Sequence, residues 1–178
     1  MDEARAQLLE RVIAEVSANG LADRSLREIA AAVGSSHRML HYHFGSRAGL
    51  VAAVVEAVEG AQRELLVELS REITDPVELS RELWLRTSTP ELLPFVRLFF
   101  ECVGLTGGQG LTDPWLMLGQ EIGERIGVAV DMDEFRLGVA VTRGLLIDVL
   151  AAGDATEATR SFERFLELWA ASRIDAEA

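Results

Sequence analysis

Lysine is absent from this chain of 178 residues, and there is one cysteine, one tyrosine and four prolines. A lone Cys102 cannot close an intrachain disulfide, so burial and hydrogen bonding must hold the fold. No uninterrupted apolar run reaches the about eighteen residues a membrane helix needs, although 49% of the residues are hydrophobic. The opening MDEARAQLLERV lacks the basic and apolar regions of a secretory signal, and a cytoplasmic location is expected. Nowhere does a β-branched run alternate with polar residues between hairpin turns, which excludes a strand-based core. The glycine-rich Gly104–Gly110 segment has neither the lysine nor the preceding strand of a phosphate-binding loop and is expected to be an inter-helix loop.

Basic residues are outnumbered overall, giving a formal net charge of −12, and an acidic surface repels nucleic acid. The distribution along the chain changes that conclusion. The first fifty residues hold six arginines and six carboxylates, so the whole deficit belongs to the remainder. Within 24–47, Arg24, Arg27, Arg38 and Arg47 face Glu28 alone, and all three histidines (37, 41 and 43) lie in the same window. This window is a local basic patch in an acidic protein. Arginine-only usage runs through the entire chain and is not by itself a nucleic-acid signal.

Helical periodicity runs through the sequence and predicts an all-α fold of about nine helices. Leu8, Leu9, Val12, Ile13 and Val16 form the apolar stripe of a first helix over about 3–18, stopped by Asn19-Gly20. Ser25-Leu-Arg-Glu28 has the spacing of a capping box and starts a short second helix ending near Val33. Gly34 suits a sharp corner, and Ser35-Ser36 cap a third helix to about Tyr42. Ala30 allows close approach, Gly34 makes the turn and Leu40 plugs the angle, which is the spacing a helix-turn-helix needs.

Around that spacing, LREIAAAVGSSHRMLHYHFGSRAGL resembles the DNA-binding head of the tetracycline-repressor (TetR) family. The resemblance covers about Leu8 to Val55 and includes Leu40-His-Tyr-His-Phe44 followed by Gly45-Ser46-Arg47. It implies a sequence-specific transcription regulator, by default a repressor, with a helix-turn-helix domain at 1–47 and an effector-binding and dimerisation domain at 48–178. Carried over by position, it makes Arg27, His37 and Arg38 base-edge candidates, with phosphate contacts at Ser25, His41, Tyr42 and Arg47 and with Ser36 on the same surface. Arg47 also sits at a helix N-terminus, whose dipole favours an anion. His37, Arg38 and Met39 depart from the family's usual lysine, small residue and threonine, so base preference is not transferable. Arg38 can pair bidentately with guanine, and Met39 either touches a thymine methyl or packs in the core. His37 and His41 are also spaced to chelate a metal, but no acidic or cysteine residue completes a site in the local pattern, so no metal and no cofactor are expected.

The body reads as helices over about 47–71, 76–88, 90–103, 113–128, 132–152 and 155–174. The first of these is long enough to act as a lever from the head. The resemblance implies a pocket for a small apolar effector, and the aromatic-rich composition suggests a hydrophobic or aromatic one, for which Trp84, Phe95, Phe99, Cys102, Trp115, Met117 and Phe135 are lining candidates. Thr106, Gln120, Thr142 and Arg143 are the polar anchors. The eighth helix is apolar nearly all round, and Ala158, Phe162, Phe165 and Trp169 make a stripe on the ninth. A homodimer four-helix bundle through Leu137, Val141, Leu145, Val149, Phe162, Phe165 and Trp169 would cover both and present two heads to palindromic double-stranded DNA. Gly138 and Gly144 are expected to permit close backbone approach. An enzyme is disfavoured, because no nucleophile-base pair is evident. The remaining alternative is a helical partner- or ligand-binding module without DNA readout.

Overall fold

The computed structural model describes residues 3–21 and 23–176. Among these it is all-helical, with α1 (Glu3–Asn19), α2 (Leu26–Ala32), α3 (His37–Phe44), α4 (Arg47–Leu69), α5 (Pro76–Thr87), α6 (Leu93–Thr106), α7 (Asp113–Ile126), α8 (Met132–Ala152) and α9 (Thr156–Ala176). No helix among the described residues is long and apolar enough to cross a membrane.

Two compact units are present, one of residues 1–61 with 94–109 and the other of 62–93 with 110–178. The first takes in the N-terminal part of α4 and nearly all of α6 in addition to the expected 1–47 head. Its core is aliphatic, with Val12, Leu21, Ile29, Leu40, Leu50 and Val54 all at zero exposure. Complete burial of one such side chain is worth roughly 1.5–3 kcal/mol.

In the second unit α8 packs on α7 and α9, and α5 on α9. Leu66, Leu79, Trp115 and Ile122 form one cluster there, flanked by Phe135 and Val139. Trp84 stacks on Phe162 at 4.7 Å between centroids and donates its indole N–H to Thr159 Oγ1 at 2.9 Å, joining α5 to α9. The Trp169 indole N–H is taken by Glu134 at 3.0 Å, joining α9 to the start of α8.

Three local expectations need correction. Pro90 does not open α6, because residues 90–92 form turns (Leu92 N–H to Thr89 O at 3.0 Å) and the helix begins at Leu93. Gly104 lies inside α6, so the loop before α7 is shorter than the glycine count suggests. Neither Gly138 nor Gly144 is forced by space within the chain: a Cβ at Gly138 would rest 3.7 Å from Phe165, and one at Gly144 would meet nothing.

Candidate nucleic-acid interface

The 25–44 segment builds its geometry from local hydrogen bonds. Ser25 Oγ accepts the Glu28 amide at 3.3 Å while Glu28 accepts the Ser25 N–H at 2.8 Å and its hydroxyl at 2.6 Å, closing the capping box. Those bonds from Ser25 to the Glu28 carboxylate hold its pKa below the usual range. At the other end of α2, Gly34 takes φ +64°, Ser35 N–H reaches Ala30 O at 2.8 Å and Gly34 N–H reaches Ala31 O at 3.2 Å. This pair of bonds is a Schellman stop, and the positive φ is why glycine is required at the corner. Ser36 then caps α3 by accepting the Met39 N–H at 3.2 Å.

Ala30 and Leu40 are 1% and 0% exposed, so the small residue and the plug occupy the angle between α2 and α3 as the spacing predicts. Leu40 and Phe44 form the buried side of α3. The outward side carries His37, Arg38, His41 and Tyr42, the last 77% exposed. Met39 is 42% exposed, so it is not packed in the core. Ser25, Arg27 and Ser36 are exposed as well.

The arginines divide by what they already hold. Arg5 donates to His43 O at 3.3 Å and lies 5.1 Å over the Phe44 ring, and Arg11 donates to Val33 O at 3.3 Å. Arg24 pairs with Glu15 at 3.0 Å. Arg47 gives Nε to Arg24 O at 2.9 Å and an NH2 hydrogen to Leu21 O at 3.0 Å. Its guanidinium is therefore turned onto the α1–α2 turn rather than presented outward like Arg27 and Arg38. Among the described residues, Arg27 and Arg38 have no partner within the chain. These are two of the three base-edge candidates, and the third, His37, adjoins Arg38.

Sequence reasoning passed over Arg5, Arg11 and Gly49. The first two bond to backbone carbonyls far away in sequence, which no local pattern announces. A Cβ at Gly49 would fall on the Phe44 carbonyl oxygen, inside van der Waals contact, so this glycine lets α4 start directly after α3. The GSRAGL run carries that signal in hindsight of the turn.

His37 and His41 have ring centroids 6.2 Å apart, and no group of three or more metal-ligating side chains gathers among the described residues. His43 packs edge-on to Tyr42 at 5.0 Å.

The body candidates are placed differently from expectation. Phe99 and Cys102 are buried in the first unit with Phe95 half-buried, whereas Trp84, Trp115 and Phe135 lie in the second. Met117 is 73% exposed, so it lines no interior. Each expected polar anchor has a partner in the chain: Thr106 donates to Cys102 O, Gln120 to Glu124, Thr142 to Gly138 O, and Arg143 to Thr112 Oγ1 and Leu111 O. Of the expected dimer residues, Val149 and Phe162 are 0% and 2% exposed and belong to the chain's own core, because α8 packs on α9 and Trp84 covers Phe162. Val141, Leu145, Phe165 and Trp169 are half-buried and Leu137 is exposed.

Comparison with known proteins agrees with this geometry. Residues 3–54 match the family model described as bacterial regulatory proteins, tetR family. A TetR-family transcriptional regulator from Pectobacterium atrosepticum superposes with a TM-score of 0.73 at 24% identity, covering 95% of this chain and 93% of that one. The fatty acid degradation regulator FadR from Bacillus halodurans gives 0.66 at 12% identity, with 94% and 95% covered. The multidrug binding protein EbrR, solved with ethidium, gives 0.65 at 22% identity, with 93% and 99% covered. No curated protein matches the chain.

Proposed function

We propose that this chain, a TetR-family DNA-binding regulator by its head and its fold, works as a homodimeric repressor that leaves a palindromic operator when a small hydrophobic effector binds its body. The observation that carries the DNA-reading part is the state of Arg27 and Arg38. The head's other four arginines are engaged by carbonyls or a carboxylate, while these two stand exposed on α2 and α3 with no partner among the described residues. An unpaired guanidinium on a recognition helix suits bidentate pairing with guanine O6/N7, worth about 1–3 kcal/mol of discrimination. His37, His41 and Tyr42 share that surface and extend the contact to neighbouring bases and phosphates, and Met39 suits a thymine methyl.

Self-association is proposed through an outer stripe that differs from the expected one. Leu137, Ala140, Gly144, Ile147 and Ala151 are all exposed at helical spacing on α8, with Leu168 exposed at 56% on α9. The open space at Gly144 supports close approach of a second backbone. Effector release, with α4 as the lever, is a population shift between two spacings of the heads. EbrR with ethidium shows that a protein of this fold takes an aromatic ligand. The proposed setting is the cytoplasm, without catalysis or a cofactor.

A band-shift titration with a palindrome from the protein's own upstream region tests the reading. Binding by the wild type with two protomers per duplex, and its loss in Arg27→Ala/Arg38→Ala, is the expected result. Equal binding by both proteins contradicts it, and favours a helical partner-binding module.

A further inference from the structure

The turn that delivers the chain into α2 is held from two sides. From α4, Arg47 donates to the carbonyls of Leu21 and Arg24 at 3.0 and 2.9 Å. From α6, Glu101 Oε2 accepts the Leu21 backbone N–H at 3.1 Å. Its other oxygen lies against Gly20, where a Cβ would sit 3.8 Å from Oε1. Gly20 is in the left-handed region at φ +76°, and Leu21 is fully buried. Both charges act on the same α6 neighbour: burial first and Glu101 second raise the Cys102 thiol, Arg47 opposes them, and the thiol stands at about 11. All of these residues belong to the first compact unit. Ser25, the cap of α2, follows Arg24 directly, so the pose of the turn sets where α2 and Arg27 begin.

We propose that Glu101 is a positioning residue for the DNA-reading face: its carboxylate on α6 holds the Gly20–Leu21 backbone that leads into α2. This rests on the DNA-binding reading of the head. The amide of a fully buried residue is costly to leave without an acceptor, so withdrawing the carboxylate forces the turn to rearrange. A head that spends less time in the competent pose binds its operator more weakly by that fraction.

The test compares full-length wild type, Glu101→Gln and Glu101→Ala by anisotropy on the operator duplex and by amide hydrogen exchange. Glu101→Ala is expected to bind about tenfold more weakly and to lose protection at Leu21 while α1 and α3 keep theirs. Glu101→Gln keeps an oxygen acceptor and is expected to stay within about threefold of wild type. Wild-type affinity in Glu101→Ala overturns the proposal, as does equal damage in both variants or loss of protection across the whole unit. If the wild type itself fails to bind the duplex, the DNA-binding reading falls, and unchanged Leu21 exchange in Glu101→Ala then overturns the Glu101 link separately.

Discussion

Trp84 offers the sharpest energetic test of how the second unit is held together. It is 1% exposed, stacked on Phe162 at 17° between ring planes, and its indole N–H is satisfied by Thr159 Oγ1 at 2.9 Å. Thr159→Val keeps the shape but leaves that N–H buried without an acceptor, at a cost of about 1–3 kcal/mol. For a chain of this size, about 2 kcal/mol corresponds to a Tm drop of about 4–8 °C. Trp84→Phe removes the donor and part of the ring, costing about 2 kcal/mol through the void it leaves. In the double variant the unsatisfied donor no longer exists, so its loss is smaller than the sum of the single losses by about 1–2 kcal/mol. Thermal and urea unfolding at one fixed protein concentration supplies the four stabilities. Strict additivity, or a Thr159→Val protein as stable as wild type, refutes the role assigned to this bond.

Three further outcomes follow from the first compact unit. Glu28 has a lowered folded pKa, so its contribution is complete above the unfolded carboxylate pKa and is lost as pH falls through the folded value; the Tm gap between wild type and Glu28→Ala should be widest near neutrality and close in acid. A gap that stays constant across that titration contradicts the capping box. Gly49→Ala drives a Cβ into the Phe44 carbonyl, which is backbone and must move, so about 1–3 kcal/mol of stability and much of the operator affinity should go, as read by melting and anisotropy. Cys102 is fully buried with its thiol raised to about 11, so an aromatic disulfide reagent at mildly alkaline pH should label it only on unfolding. Labelling of the native protein at a free-thiol rate contradicts that burial.

The head was legible because its determinants are local. Ser25 with Glu28, Gly34 with its φ of +64°, and buried Ala30 and Leu40 act over short stretches of chain, and the sequence pattern states them directly. The carbonyl bonds of Arg47 were not legible, because residue type does not name a guanidinium's partners and these lie more than twenty residues away. In α8 the difficulty is near-uniform apolarity. When almost every side chain is hydrophobic, periodicity cannot choose a face, and packing against α7 and α9 decides that Val149 turns inward while Ile147 turns out. Phe162 looked available for a partner until Trp84, from a helix distant in sequence, was found covering it. Thr142 and Arg143 were read as ligand anchors from polarity alone, yet Gly138 O, Thr112 and Leu111 O engage them.

The exposed side of α2 and α3 is proposed to read DNA through Arg27 and Arg38, and a salt-resolved comparison of base-substituted operators decides it. Anisotropy should give a steep negative slope of log K against log salt for the wild type. Arg38→Ala should lose about 1–3 kcal/mol on the intact operator and bind sequences altered at one base pair per half-site almost as well as the original. A flat salt response, or an Arg38→Ala/Arg27→Ala protein that discriminates among those sequences as the wild type does, contradicts DNA reading by these two arginines.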